Sequence, residues 1–342
     1  MSIPVLSLSD VCGCPAVSII TLGIVTLQAP LPLVAIVGPT ACGKTRLALD
    51  LARHLPAALV NCDSLQFYRG LDIGTAKTPL SERGEVPHHL FDILEPHEEF
   101  SAGDFAGMAR RVVAEVSGQR LVPFLVGGTG FYLRALLDGL AAGPKRDEDL
   151  RTRLAHRERR KPGSLHRILS RFDRETAARI HPNDLNKAIR ALEICLLTRR
   201  PAVEIFRQGR VRLEGYSPLK IGLDPPRPLL HQRIESRTRG MFAKGLTDEV
   251  RNLLAGGVRP DAKAIDSIGY RQVVDYLGGR LKLDQAIEET IVATRQYAKR
   301  QLTWFRRESG LVWISDFGDS PDARVVAARL INEHLDRCGW PV

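Results

Sequence analysis

The chain has 342 residues, of which 44% are hydrophobic and 26% charged, and its formal net charge is +10. This is the composition of an ordinary soluble protein with enough apolar residues for a core, and the length predicts about two domains. No apolar run reaches the roughly 20 residues of a membrane span. The first ten residues contain no Lys or Arg, which argues against a secretory leader.

The cysteines indicate the compartment. Cys12, Cys14, Cys42, Cys62, Cys195 and Cys338 form no C-x-x-C pair and no cysteine–histidine set with zinc spacing. Free thiols of this kind are typical of a reducing cytosol. We therefore expect a cytoplasmic protein with no membrane partner. Because nothing in the sequence points to an obligate dimer, we also expect a monomer.

The predicted elements begin after residues 1–30, which we expect to be a disordered extension outside the fold. Residues 31–143 alternate short apolar strands with helices, the pattern of a parallel sheet flanked by helices. The predicted strands are 33–37, 57–62 and 121–126. Ligands of open α/β sheets bind beyond the carboxyl ends of the strands. The loops that follow these three strands should therefore meet at one site.

Residues 144–213 are predicted to form an inserted all-helical domain. They contain 19 Lys and Arg against 9 Asp and Glu, a surplus that equals the net charge of the whole chain. A basic segment beside a neutral remainder is typical of a protein that binds a polyanion such as nucleic acid. The alternative is an arginine-rich helical face that contacts only solvent.

Residues 214–342 are predicted to complete the core. A strand at 219–224 would return to the sheet, helices would follow from residue 227, and 311–315 would add a last strand. The predicted fold class is therefore α/β: a P-loop-containing parallel sheet flanked by helices, with an inserted basic all-helical domain.

The stretch GPTACGKT at 38–45 lies between the first predicted strand and a helix predicted at 44–55. It matches G-x-x-x-x-G-K-[ST], a loop whose backbone N–H groups and helix N-terminus hold a polyphosphate. Lys44 would neutralise phosphate oxygens, and the Thr45 hydroxyl would ligate Mg²⁺. The predicted phosphate site comprises Gly38, Pro39, Thr40, Ala41, Cys42, Gly43, Lys44 and Thr45.

Asp63 comes directly after the second predicted strand. A P-loop ATPase also needs an acidic residue at a strand end to hold magnesium, but the third predicted strand ends in Gly-Gly-Thr-Gly at 127–130. Asp63 is therefore interpreted as a base or as a group that positions an acceptor. The alternative is a turn or cap residue.

The stretch DSLQFYRGLDIGTAK at 63–77 should form a loop at the same edge of the sheet. Its aromatic residues, Phe67 and Tyr68, stand beside amide and guanidinium groups, a combination that suits contact with an unstacked base. The alternative is that both rings are ordinary packing anchors.

Two later helices carry basic residues that can contact phosphate. Arg233 and Arg237 are four residues apart and share one helix face, which suits them to hold a diphosphate; a solvated surface is the alternative. A helix predicted at 284–307 has a basic stripe beside its apolar face, suited to a nucleic-acid backbone or only to solvent. That stripe consists of Arg295, Lys299 and Arg306.

Seven stretches, in order, resemble the tRNA dimethylallyltransferase (tRNA isopentenyltransferase) family, of bacterial type. They span about residues 33–307 and read GPTACGKT, DSLQFYRGLDIGTAK, VPHHLFDI, FLVGGTGFYLRALLDGL, IHPNDLNKAIRALE, SIGYRQ and ATRQYAKRQLTWFR. The resemblance implies transfer of a dimethylallyl group from dimethylallyl diphosphate to the exocyclic N6 amine of the adenosine at tRNA position 37, 3′ of the anticodon. Diphosphate would be released, and ATP would not be consumed. The implied cofactor is Mg²⁺ and the implied partner is the tRNA anticodon stem–loop.

The resemblance also implies roles for individual residues. Asp63 would be the general base, Thr129 would lie beside the transferring centre, and Lys44, Thr45 and Arg237 would stabilise the diphosphate, with Mg²⁺ at Thr45. The implied contacts with the flipped base are Asp63, Ser64, Leu65, Gln66 and Thr129. The implied contacts with the stem and loop are Arg151, Asn186, Lys187, Ala188, Ile189, Arg190, Gly269, Tyr270, Arg271, Arg295, Lys299 and Arg300. Cys42 departs from the serine that is usual in the family.

Three alternatives stay open on the sequence. A relative that prenylates free AMP, ADP or ATP would not need the basic insertion. A P-loop kinase of small molecules would turn over ATP. A non-catalytic RNA-binding protein with a vestigial nucleotide site would keep its role when Asp63 is changed.

Overall fold

The computed structural model describes residues 29–84, 86–141 and 143–341. Almost all of the extension predicted at 1–30 therefore lies outside the described residues. Within the described ranges, no helix combines the length and apolar character that a bilayer span requires.

The described chain contains one six-stranded sheet. Its strands are β1 (Leu31–Val37), β2 (Ala57–Asn61), β3 (His88–His89), β4 (Val122–Gly127), β5 (Tyr216–Leu223) and β6 (Leu311–Ile314). They are arranged in the order β3-β2-β4-β1-β5-β6, and every pairing is parallel. The predicted α/β fold class, a parallel sheet flanked by helices, is confirmed. The two-residue β3 was not predicted because it is too short to show an alternating pattern.

Fourteen helices accompany the sheet in the described residues. The first four are α1 (Lys44–Ala52), α2 (Leu80–Arg83), α3 (Ala102–Gly118) and α4 (Gly130–Leu137). Five follow between α4 and β5: α5 (Glu148–Arg160), α6 (Ser164–Phe172), α7 (Arg174–Arg179), α8 (Leu185–Thr198) and α9 (Ala202–Arg207). The last five are α10 (Arg227–Ala243), α11 (Leu246–Ala255), α12 (Tyr270–Leu277), α13 (Leu283–Phe305) and α14 (Pro321–Arg337).

Alternate residues of β1 enter two layers of apolar core, because successive side chains of a strand point to opposite faces. Leu33 and Ala35 belong to the layer that includes α3 and α4, whereas Val34 and Ile36 belong to the layer that includes α1 and α14. β1 pairs with β4 on one side and β5 on the other. The loop after β1 therefore starts at the middle of the carboxyl edge of the sheet.

The two rings of the 63–77 loop are packing anchors, which is one of the two alternatives that the sequence left open. Phe67 is fully buried, with its ring centroid 5.0 Å from that of Phe100 and 5.8 Å from that of Phe105. Tyr68 is also buried, and its hydroxyl donates to the Glu98 carbonyl at 3.3 Å. Burial of the rings leaves Asp63 and Ser64, before them, at the edge of the sheet.

The far end of the same loop is held by α11 and α12. The Glu249 carboxylate accepts hydrogen bonds from the backbone N–H groups of Asp72, Ile73 and Gly74 at 3.0, 2.7 and 3.2 Å. The fully buried Tyr270 hydroxyl donates to the same carboxylate at 2.6 Å. The Tyr270 side chain was expected to contact tRNA. It is instead enclosed in the core, where it helps to hold this loop.

Helices α5–α9 pack around an apolar core of their own. Ala188 and Ile189 lie inside that core, so their side chains cannot contact RNA, contrary to the expectation from the sequence. The buried Glu193 carboxylate is paired with Arg151 at 3.3 Å and with Arg190 at 2.5 Å. These two arginines are therefore partners of a buried acid and not free surface cations.

Candidate active site

The loop at 38–45 joins β1 to α1, so the first N–H groups of α1 open toward the carboxyl edge of the sheet. The Lys44 ammonium lies over this loop and donates to the Pro39 carbonyl at 2.7 Å. From α10, Arg237 Nη2 donates to Thr40 Oγ1 at 2.9 Å. Two cations from distant parts of the chain thus flank one loop, an arrangement suited to a phosphate group.

A cavity of about 180 Å³ lies against this loop. It brings together predicted residues from three segments, because the carboxyl ends of parallel strands meet at one edge. Its lining includes Thr40, Ala41, Gly43, Lys44, Thr45, Asp63, Gln66, Val126, Gly127, Arg237 and Gln301. A wider groove of about 1350 Å³ shares Thr45, Arg46, Ala76 and Arg237 with this cavity.

Asp63 combines the two roles that the sequence left open. Its Oδ1 accepts the backbone N–H of Leu65 at 3.1 Å, which makes it a turn residue. Its own backbone N–H donates to Oδ1 of the buried Asn61 at 2.8 Å. Among the described residues, the second carboxylate oxygen of Asp63 has no hydrogen-bond partner. That oxygen belongs to a side chain that lines the cavity, so it is placed to accept a proton from a ligand there.

Thr129 lies beside the cavity and not in its lining. Its Oγ1 accepts the backbone N–H of Ser64 at 3.2 Å, and its own N–H donates to the Cys62 carbonyl at 3.3 Å. These two hydrogen bonds join the loop after β4 to the loop after β2. Thr129 therefore fixes the backbone next to Asp63.

Two residues of α13, Tyr297 and Gln301, were missed by sequence reasoning. The Tyr297 phenol faces the side chains of Thr129 and Gln301. Gln301 donates to the Gly128 carbonyl at 2.9 Å and accepts the Thr40 N–H at 2.8 Å. Their four-residue spacing, which places both on one face of the helix, could have indicated them. The basic residues between them instead favoured an RNA-binding role for this part of the helix.

Burial shifts the pKa values of three groups around the cavity. It raises the pKa of the Cys42 thiol, although the nearby Lys44 ammonium acts in the opposite direction. It also raises the pKa of Tyr297, and the Asp63 carboxylate adds to this shift. Burial lowers the pKa of Arg237, whereas Asp63 and Cys42 act to raise it. Because Cys42 and Tyr297 stay neutral near pH 7, the charges at the site are Lys44 and Arg237 against one carboxylate, a balance that favours an anionic ligand.

Arg233 does not share the position of Arg237, so the predicted arginine pair is corrected. The guanidinium of Arg233 binds both carboxylate oxygens of Asp319, at 2.6 and 2.8 Å, and lies 4.0 Å from the Phe317 ring centroid. It links α10 to the segment before α14. Only Arg237 of the two lines the cavity.

Some of the residues expected to contact RNA are accessible at the surface, and others are not. Exposed ones are Asn186, Lys187, Arg271, Lys299 and Arg300, and half-buried ones beside the active-site loops are Ser64, Leu65 and Gln66. Arg295, by contrast, is paired with Glu235 of α10 at 2.9 Å, and Gly269 is the backbone position before α12. Lys299 and Arg300 of α13 form no ion pair within the described part of the chain and come directly before the buried Gln301, which lines the cavity.

The donor set at the cavity fits magnesium. Thr45 and Asp63 present hydroxyl and carboxylate oxygens to the same space, and Mg²⁺ prefers oxygen ligands. Among the described residues, no group of three or more His, Cys, Asp or Glu side chains could hold a metal by itself. A magnesium ion here would therefore depend on phosphate oxygens and water for most of its ligands.

Comparison with known proteins gives consistent results. The family model described as IPP transferase matches residues 66–308. A tRNA dimethylallyltransferase of Solibacter usitatus (strain Ellin6076) is 54% identical over 305 residues, which cover 89% of this chain and 99% of the relative. A tRNA dimethylallyltransferase of Koribacter versatilis (strain Ellin345) is 51% identical, and the match covers 86% of this chain and 95% of the relative.

Solved structures agree with these relatives. The tRNA isopentenylpyrophosphate transferase of Bacillus halodurans is 40% identical with a TM-score of 0.67, over 90% of this chain and 98% of that one. A eukaryotic dimethylallyltransferase acting on tRNA is 25% identical with a TM-score of 0.77, over 91% of this chain and 81% of that one.

Proposed function

The chain belongs to the tRNA dimethylallyltransferase family, and we propose that it transfers a dimethylallyl group from dimethylallyl diphosphate to tRNA. It is a prenyl-transferring enzyme. The acceptor is the exocyclic N6 amine of the adenosine at position 37, in the anticodon stem–loop, and the products are N6-(dimethylallyl)adenosine in tRNA and diphosphate. The enzyme acts as a monomer in the cytoplasm.

One observation carries this proposal: a single cavity joins the carboxylate of Asp63 to the cations Lys44 and Arg237. A prenyl transfer needs both kinds of group, a base for the amine and positive charge for the leaving diphosphate. A site with only the cations would suit any phosphate ligand. The carboxylate in the same small space favours a reaction in which a proton leaves an acceptor.

The reaction exchanges one bond for another. The amine nitrogen forms a bond to the allylic carbon while the bond between that carbon and the diphosphate oxygen breaks. Negative charge develops on this oxygen, and the fixed charges of Lys44 and Arg237 stabilise it. The nitrogen loses a proton, which Asp63 accepts through its unpartnered oxygen. Mg²⁺ at Thr45 would supply further positive charge to the diphosphate when bound.

The acceptor reaches the site from an RNA loop. Adenine in a stacked loop cannot bring its amine to a cavity beneath the protein surface, so the base has to leave the stack. Ser64, Leu65 and Gln66 lie next to Asp63 and would contact the flipped base. Lys299 and Arg300 would hold the phosphate backbone nearby.

The test is a transfer assay with magnesium, radiolabelled dimethylallyl diphosphate and unmodified tRNA, with AMP and ATP as parallel acceptors. A tRNA that carries guanosine at position 37 is the matched control. Label in the unmodified tRNA, but not in the control or the free nucleotides, is the expected result. Label in AMP or ATP alone would identify a free-nucleotide prenyltransferase. Turnover of ATP without any label transfer would identify a kinase.

A further inference from the structure

Gln301 is a buried amide that bridges the two loops at the active site. Only 5% of its surface is exposed. Its Oε1 accepts the Thr40 N–H at 2.8 Å, and its Nε2 donates to the Gly128 carbonyl at 2.9 Å. Because an N–H can only donate and a carbonyl can only accept, the orientation of the amide is determined by its two partners.

The contact between α13 and the loop after β4 leaves no free space. A Cβ on Gly128 would lie 2.1 Å from Gln301 Nε2, and a Cβ on Gly130 would lie 2.1 Å from Trp304 Cδ1. Glycine at these two positions therefore lets the loop and the helix approach each other closely. Such a close-packed interface transmits a displacement of the helix directly to the loop.

Thr40 connects Gln301 to the cation at the diphosphate site. Its backbone N–H is bound to Gln301, and its hydroxyl accepts from Arg237 at 2.9 Å. A chain of two hydrogen bonds therefore leads from α13 through Thr40 to Arg237. The second bond of Gln301 leads to Gly128, the residue before Thr129.

The outer edge of the same part of α13 is basic. Lys299 and Arg300 are exposed, as is Arg307 just after the end of α13, and none of the three forms an ion pair within the described ranges. Lys299 and Arg300 come immediately before Gln301. An RNA backbone bound to this edge would therefore contact the same helix that holds both loops, and it could shift the position of that helix.

We propose that Gln301 is a positioning residue, which couples RNA binding on α13 to the placement of Thr40 and Arg237 against the loop of Thr129. This inference rests on the proposed function and deepens it. Gln301 does not touch the reacting atoms. It sets the distance between the diphosphate side and the acceptor side of the cavity, and a small error in such a distance slows a bimolecular transfer.

The test compares Gln301→Met, which removes both hydrogen bonds at similar volume, with Gln301→Glu, which keeps an acceptor and loses the donor. The control is Gln232→Met, an exposed glutamine of α10. For Gln301→Met we expect kcat to fall about tenfold to 100-fold. The affinity for tRNA in the absence of diphosphate should change less than about twofold, because the RNA-binding edge is retained.

Gln301→Glu supplies a signature that a merely structural role would not produce. The ionised carboxylate would face the Gly128 carbonyl with no proton to donate, whereas the protonated form would restore the donor. Its kcat relative to wild type should therefore rise as the pH falls from about 8 to about 6, because burial raises the pKa of a carboxyl group. A flat ratio across this range would contradict the proposal.

A binding measurement separates this inference from the proposed reaction. Titration of diphosphate with and without an anticodon stem–loop RNA requires no transfer. Wild type should bind diphosphate at least about fivefold more tightly with the RNA present, and Gln301→Met should lose this difference. Equal coupling in both proteins would overturn the role of Gln301, even if the enzyme transfers label. Failure of wild type to label tRNA, with the coupling intact, would overturn only the proposed reaction.

Discussion

Arg237 of α10 donates a hydrogen bond from Nη2 to Thr40 Oγ1 at 2.9 Å, across 197 residues of sequence. This bond places the arginine over the loop at 38–45, where Lys44 lies already. Its neighbour on the helix face, Arg233, is committed to Asp319. Arg237 therefore belongs to the active site, whereas Arg233 anchors α10 to the segment before α14.

Arg237→Gln should lower kcat/KM for dimethylallyl diphosphate by about 100-fold to 1000-fold, because it removes a fixed charge where the leaving oxygen becomes negative. Steady-state kinetics at saturating tRNA measures this loss. Arg239→Gln is the matched control, since Arg239 lies on the exposed side of α10 and pairs with Glu235 and Glu288. An equal loss in both variants would mean that α10 is disturbed as a whole.

Asp63→Asn should reduce the transfer rate by at least about 100-fold while tRNA affinity stays within twofold. The amide oxygen can still accept the Leu65 N–H, so the turn should form, but the side chain no longer accepts a proton. Single-turnover transfer and filter binding measure the two quantities. Weaker tRNA binding with a normal transfer rate at saturating tRNA would contradict the role of Asp63 as the base.

The double variant Lys299→Gln/Arg300→Gln should weaken tRNA binding and lower its dependence on salt. Each lost phosphate contact should reduce the slope of log affinity against log salt by about 1. Arg329→Gln is the control, an exposed cation of α14. An unchanged slope in the double variant would remove α13 from the phosphate contacts.

Glu193→Gln should destabilise the helical cluster α5–α9. The buried carboxylate pairs with Arg151 and Arg190 and accepts the Asp147 N–H at 2.8 Å. Neutralising this carboxylate should cost about 1–3 kcal/mol, because Arg151 and Arg190 lose a charged partner while both remain partly exposed to solvent. Amide hydrogen exchange in α5 and α8 should show this fall in opening free energy. Glu204→Gln, at an exposed pair with Arg200, should leave the exchange unchanged.

The Cys42 thiol should resist alkylation in the native protein. Burial raises its pKa above the ordinary thiol value of 9.0, so the reactive thiolate is scarce at neutral pH. Iodoacetamide at pH 7.5 should label Cys42 far more slowly than it does in urea, with the rate rising as the pH increases. Peptide mass spectrometry measures the labelling. Labelling of native Cys42 at the rate of a free cysteine would contradict this account.

Sequence patterns were enough to predict the parallel sheet, the phosphate-type loop and the position of Asp63 at a strand end, because each of these depends on neighbouring residues. A buried run, a turn and a helix start each lie within about ten neighbouring residues. The same patterns left the rings of Phe67 and Tyr68 undecided, since an aromatic side chain suits either a core or a base.

The folded chain, and not the local sequence, shows which polar and basic side chains are available to a ligand. Arg151 is bound to a buried acid, Arg233 is bound to the partly exposed Asp319, and Tyr270 is enclosed, although all three suit a ligand by residue type. Gln301 reaches Thr40 across 261 residues and Gly128 across 173. Contacts over such separations arise when the sheet brings strand ends and distant helices together, and no local pattern in the sequence records them.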